Sequence, residues 1–222
     1  MKKYVFQCAL LVLLVTAVSA CKTTEEKTPL VHAHRGGMAL YPENTIPAMI
    51  HAVSIGAPVL ELDLHVSKDH QVVVSHDAYF HAVKAYTPAG DTIPEEQMKS
   101  YKLYAMDYDS ISKYDVGTHP NPRFPQRKSL KCKVPLVSEL IDSVENYTKT
   151  HSLPLVSYNI EIKSEPSKDG RFTLDYKKLA DLCISVVLSK KLGNRLLVQC
   201  FDVRTWNYLH ERYPALRLSY LV

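Results

Sequence analysis

Cysteine is scarce in this sequence and never closely paired. Of five cysteines among 222 residues, Cys132, Cys183 and Cys200 lie in the body of the chain, and none forms a Cys-x-x-Cys pair. That excludes the usual zinc and thiol-redox motifs and leaves room there for at most one disulfide. A strong excess of one charge is also missing. The formal net charge is +4, with Lys and Arg spread along the chain, so nothing points to nucleic acid as a partner. Internal repeats and low-complexity tracts are absent. What remains is a 46% hydrophobic chain long enough for one sizeable core.

The first residues read as a targeting segment. Lys2 and Lys3 precede the apolar run YVFQCALLVLLVTAV, which is short for a membrane span, and VSAC closes it at Cys21. A cysteine directly after Val-Ser-Ala is similar to the lipobox of bacterial lipoproteins. That resemblance implies cleavage before Cys21, lipidation of its thiol, and a chain anchored in the bacterial cell envelope on the periplasmic or outer-surface side. Residues 1–20 are expected to be a signal peptide, 21–29 a polar tether and 30–222 the folded body. A plain N-terminal membrane anchor is the alternative.

Strand and helix patterns then alternate. LVHAHRG reads as a strand. NTIPAMIHAVSIGA reads as a helix, capped by Asn44 or Thr45, with Ile46, Met49, Ile50 and Val53 on one face. VLELDLHV alternates strictly, with Leu60, Leu62, Leu64 and Val66 on one side and Glu61, Asp63 and His65 on the other. QVVVSHD reads as the third strand. A polar, Tyr- and Pro-rich region follows, from Ala78 to Lys133. Then come a helix (PLVSELIDSVENYTKT), a strand (PLVSYNIEIK), a helix (LDYKKLADLCISVVLSKKLG), a strand (RLLVQCFD), a helix (VRTWNYLHERYP) and a sixth strand (LRLSYLV). Such alternation predicts an α/β fold with parallel strands. Polar residues gather at four strand ends, which favours a TIM-type (β/α)8 barrel over an open sheet. A full barrel takes ~250 residues, so the expectation is a barrel cut off after about six strands.

The strand-end residues suggest a chemistry. Glu61 and Asp63 project from the same side of a strand and would repel each other without a cation between them. Glu161 on the fourth strand is a candidate third oxygen ligand, and an all-oxygen set favours Ca²⁺ or Mg²⁺. Lys163 lies two residues on and suits an anion bridging to the metal. Arg35 offers a planar donor fork for phosphate. His34 and His76 end two different strands and can serve as general base and general acid. Metal, Arg, Lys and two His together describe phosphodiester cleavage. His32, His51 and His65 read as structural residues.

HRGG…PENT (His34–Thr45), ELDLHVSKD (Glu61–Asp69), VVVSHD (Val72–Asp77) and IEIK (Ile160–Lys163) resemble, in order and spacing, the glycerophosphodiester phosphodiesterases. The resemblance spans about Leu30 to Val222. It implies a TIM barrel with a family insertion at about 78–133. It also implies hydrolysis of glycerophosphodiesters to an alcohol and sn-glycerol 3-phosphate with a divalent cation. By the same resemblance, His34 and His76 are the acid/base pair, Glu61, Asp63 and Glu161 the metal ligands, and Arg35 and Lys163 the phosphate contacts. The related mechanism uses the substrate's glycerol hydroxyl as first nucleophile and passes through a cyclic phosphate. Glu43 and Asn44 match the motif, Glu43 as a support for Arg35 or the metal shell. Cys200 departs from the family's Ser-Phe pattern, and AYFHAVKAYTPAG departs from its Arg-Thr-Thr segment. Two other functions fit the sequence: a phospholipase-type phosphodiesterase acting on intact lipids, and an inactive, truncated or binding lipoprotein.

Overall fold

The computed structural model describes residues 29–222. The expected signal peptide, most of the tether and Cys21 lie outside the described residues. Six strands form one sheet: β1 (His32–Ala33), β2 (Val59–Val66), β3 (Val72–Val74), β4 (Ser157–Ile162), β5 (Leu196–Cys200) and β6 (Leu218–Tyr220). β1, β2, β4, β5 and β6 lie side by side in that order, all parallel. Five α-helices accompany them among the described residues: α1 (Ile46–Ser54), α2 (Tyr108–Ile111), α3 (Val137–Thr150), α4 (Tyr176–Ser189) and α5 (Val203–Arg212). Apart from β3 this is the winding of part of an α/β barrel. No helix among the described residues is long and apolar enough to cross a membrane.

QVVVSHD is not a further parallel strand. β3 runs antiparallel to β2, pairing Leu64 with Val74 and Val66 with Val72. Only Ser67–Gln71 separates the two. A parallel crossover needs a dozen residues or more, so so short a link can only make a hairpin. Ser67 organises the turn, accepting from the Gln71 amide at 2.9 Å, and His70 takes φ 61° within it. Of the six strands in the sheet, five therefore form the parallel series and β3 is the antiparallel hairpin partner of β2. The first strand is also shorter than LVHAHRG suggested: after Ala33 the chain enters a tight 3₁₀ turn over His34–Gly36.

Both faces of β2 are buried, for different reasons. The outer face carries Leu60, Leu62 and Leu64, which join Tyr158, Ile160 and Ile162 of β4 and Leu196 and Val198 of β5. Helices cover that face: Met49, Ala52 and Val53 from α1, Val137, Leu140, Ile141 and Val144 from α3, and Leu179, Cys183, Ile184 and Val187 from α4. The i, i+3, i+4, i+7 spacing on α3 lays one stripe against the sheet. The inner face is polar, with Glu61 opposite Asn159, Asp63 opposite Glu161, and Glu161 opposite Gln199. The apolar core thus sits outside the strands and leaves their inner side for chemistry.

A second apolar cluster organises the segment after β3. Val73, Phe80, Ala85, Ile93, Leu103, Ile111 and Val134 pack together, and Phe80 stacks on Tyr114 at 3.9 Å. This segment folds back beside the end of β3 instead of extending the sheet. The three described cysteines, Cys132, Cys183 and Cys200, are buried and free.

Candidate active site

The turn after β1 is shaped by its backbone. Arg35 has φ 51° and Gly36 φ 75°. A Cβ on Gly36 would sit 2.9 Å from the Met49 backbone nitrogen, so only glycine lets the turn lie this close to α1. The result aims the Arg35 N–H at Glu61, where Oε2 accepts at 2.8 Å. The Arg35 side chain turns to two further carboxylates: Nη1 lies 3.2 Å from Glu43 Oε1, and Nε lies 3.5 Å from Asp63 Oδ2. His34 Nε2 is 4.0 Å from Glu61 Oε2, and its side chain is 62% exposed. Partial burial and the adjacent Arg35 charge lower its pKa, which favours the neutral ring.

Glu61, Asp63 and Glu161 come together on the inner face, each offering an oxygen within 4.8 Å of the others. Burial and the neighbouring Asp63 raise the Glu61 pKa to about 7, against the opposing Arg35 N–H. Burial likewise raises that of Glu161, against the pull of Lys163. Lys163 Nζ sits 2.8 Å from Glu161 and 3.5 Å from Asp63. Carboxylates crowded until one resists ionisation are what a cation would relieve, and an oxygen-only donor set suits a hard divalent ion. The three residues fit such an ion.

Asn44 does not cap α1. Thr45 does, accepting from the Ala48 amide, while Asn44 is buried at φ 58° and pairs with Asp63 instead. Its Nδ2 donates to Asp63 Oδ2 at 2.8 Å, and the Asp63 amide donates to its Oδ1 at 3.2 Å. Glu61 is supported from another side by Gln199, whose Nε2 lies 3.3 Å from Oε1. Gln199 in turn accepts from Asn159, which also meets His32 Nδ1 at 3.1 Å. His32 therefore has a structural place under the site.

His76 follows β3, and its Nδ1 meets Asp77 Oδ1 at 2.9 Å, leaving Nε2 unused by that contact. Its carbonyl accepts from His65 Nε2 at 3.2 Å. Full burial drives the His65 pKa down to about 4, so this ring is neutral and structural. His51 stacks on Tyr41 at 4.3 Å. Sequence patterns did not reveal Lys84, which touches both Glu43 and Asp77. Gln199 and Asn159 carried a weak signal in their inner-face parity. The structure thus brings His34, Arg35 and Lys163 to the three carboxylates and sets His76 on Asp77; Cys21 lies outside the described residues.

The sequence model described as the glycerophosphoryl diester phosphodiesterase family matches residues 34–222, the whole run containing these groups. The chain belongs to this family. Lysophospholipase D GDPD1 of Rattus norvegicus is 61% identical over 136 residues, which is 59% of this chain and 35% of the relative. The glycerophosphodiester phosphodiesterase of Bacillus subtilis (strain 168) is 27% identical over 220 residues, covering 96% of this chain and 67% of that protein. The chain thus spans about a third of one relative's length and about two thirds of the other's. Among solved structures, one from Silicibacter pomeroyi DSS-3 bearing the family's name superposes with a TM-score of 0.73 at 24% identity, covering 86% of this chain and 63% of that one. A phosphodiesterase from Oleispira antarctica, solved with the product sn-glycerol-3-phosphate, gives 0.61 at 20% identity over 87% of this chain and 66% of that one. These superpositions place the fold among the barrels of the family.

Proposed function

We propose that the chain hydrolyses glycerophosphodiesters to an alcohol and sn-glycerol 3-phosphate. The observation that carries this reading is the gathering of three buried carboxylates with Arg35 and Lys163, with His34 4.0 Å from Glu61 and His76 near enough to act on the charge of Glu161. The product bound in the Oleispira antarctica relative has the matching chemistry.

Glu61, Asp63 and Glu161 would hold a divalent cation, Ca²⁺ or Mg²⁺, which when bound neutralises charge on a phosphoryl oxygen. Arg35 and Lys163 would grip the remaining phosphate oxygens through charge-assisted bonds. His34, whose neutral form is favoured, would take the proton from the substrate's glycerol hydroxyl. That oxygen attacks phosphorus, and the P–O bond to the alcohol breaks. His76 would hand its Nε2 proton to the departing alkoxide while Nδ1 stays fixed on Asp77. Opening of the resulting cyclic phosphate by water reverses the roles, His76 now accepting a proton and His34 returning one.

A second substrate class has its own support. The rat relative is named lysophospholipase D, and Leu40, bonded through its amide to Gly37 in the turn after β1, and Val83, the residue before Lys84, are exposed. A lysophospholipid would place its acyl chain outside the polar bowl. Anchoring through a lipidated Cys21 in a bacterial envelope would bring such a substrate close, and the lipobox-like VSAC supports that location. The experiment compares release from glycerophosphoethanolamine with release from lysophosphatidylethanolamine on vesicles. Faster turnover of the soluble diester supports the first reading. Turnover of the lysolipid alone supports the second, and turnover of neither removes both.

A further inference from the structure

Lys84 lies in the segment after β3 that departs from the family pattern, yet its side chain reaches into the site. Its Nζ is 2.9 Å from Glu43 Oε1 and 2.7 Å from Asp77 Oδ2. Each carboxylate has a second partner at the candidate centre. The same Glu43 oxygen accepts from Arg35 Nη1 at 3.2 Å, and the other Asp77 oxygen meets His76 Nδ1 at 2.9 Å. One ammonium therefore closes a chain, Arg35–Glu43–Lys84–Asp77–His76, joining the turn after β1 to the end of β3. These two arms carry the two candidate histidines and share no strand pairing with each other.

We propose that Lys84 is a positioning residue that couples the arm bearing His34 and Arg35 to the arm bearing His76. This deepens the phosphodiesterase reading and rests on it for its catalytic half. Lys84 is only 29% exposed, and Glu43 and Asp77 are more buried still. Without the ammonium, two carboxylates would face each other across a low-dielectric gap and move apart. Asp77 would then lose the orientation that fixes the tautomer of His76, and Glu43 would pull on Arg35. Burial works against the charge on Lys84, but Glu43 and Asp77 outweigh it and raise the pKa of the amine. Burial also works against Asp77 ionisation, yet the His76 and Lys84 contacts hold its carboxyl far below the usual range. Charged Lys84 and charged Asp77 therefore favour each other. Two of the three N–H donors of the ammonium are spent on Glu43 and Asp77, one from each arm, which gives it a bridging role.

The test uses two readouts on the full chain. The first is the imidazole ¹⁵N spectrum of His76 without substrate, assigned by comparison with His76→Gln. At a pH high enough to leave the ring neutral, after loss of the Nε2 proton, wild type should show one tautomer, with the remaining proton on Nδ1. Lys84→Met should give a mixed or inverted tautomer, and Lys84→Arg should restore the wild-type pattern. The second is steady-state hydrolysis. Lys84→Met should lower kcat at least tenfold with KM within threefold of wild type, and Lys84→Arg should recover most of that loss. If Lys84→Met does not fold, Lys84→Gln takes its place, keeping a polar group at that depth. A His76 spectrum unchanged by loss of the ammonium overturns the proposal. So does a changed spectrum with unaltered kcat, or an equal loss in the Met and Arg variants. A wild-type chain that turns over nothing defeats the functional reading, and the spectrum alone then decides the bridge.

Discussion

Asn44 and Asp63 form a reciprocal pair: the Asn44 amide donates to the Asp63 carboxylate at 2.8 Å, and the Asp63 N–H donates back at 3.2 Å. A residue of the β1–α1 turn thereby fixes a carboxylate in the middle of β2. Asp63 also sits 3.5 Å from both Arg35 Nε and Lys163 Nζ. Asn44 therefore orients one candidate metal ligand and keeps its charge pointed inward.

Removing that support should weaken the metal site more than the fold. Outer partners of metal ligands are commonly worth 10–100-fold in affinity. Because Asn44 has φ 58°, Asn44→Gly is the cleanest variant, since it keeps that backbone conformation accessible. Calorimetric titration with Ca²⁺ or Mg²⁺ should show at least a tenfold loss. An affinity within twofold of wild type would mean that Asp63 needs no such support.

Gly36 and Gly37 should respond differently to the same change. Both have positive φ, 75° and 87°, but a Cβ on Gly37 meets open space while one on Gly36 strikes the α1 backbone. Gly36→Ala should cost about 1–3 kcal/mol more than Gly37→Ala, because backbone cannot yield as a side-chain tip can. Urea midpoints measure the difference. Equal midpoints would show that α1 is free to move away from the turn.

Arg195 and Glu145 should contribute an acid-sensitive part of stability. Arg195 Nη1 and Nη2 grip the two Glu145 oxygens at 2.8 and 2.7 Å, and the Tyr158 hydroxyl donates to Oε1 at 2.8 Å. Burial raises the Glu145 pKa, but these bonds outweigh it and lower the value overall. A carboxyl held lower when folded than when unfolded adds stability that is present above its unfolded value, about 4.3. That stability is lost as pH falls through the lower folded value. The Tm difference between wild type and Glu145→Gln should therefore be largest near neutrality and shrink below about pH 4. A difference constant down to pH 2.5 would contradict this.

Local pattern made much of the fold legible. Strict alternation over Val59–Val66 identified β2, and the Leu face did prove to be the one under the helices. The same parity put Glu61 and Asp63 on one side, and the register of β4 brought Glu161 to them. One misreading had a local remedy: the short Ser67–Gln71 link already implied a hairpin. Of the two residues that could cap the first helix, Thr45 does so and Asn44 is turned to Asp63. Lys84 was different in kind. Its partners lie 41 and 7 residues away, and only the path of the chain around Phe80 and Tyr114 brings it back to the strand ends. No periodicity records such a path.

The most direct test of a metal-centred phosphodiesterase is sn-glycerol 3-phosphate release from glycerophosphoethanolamine in EDTA, before and after divalent cation is restored. Wild type should release nothing in EDTA and recover with Ca²⁺ or Mg²⁺, while Glu61→Gln/Asp63→Asn should stay inert under both conditions. Undiminished release in EDTA, or full activity in the double variant, would contradict the role given to Glu61, Asp63 and Glu161.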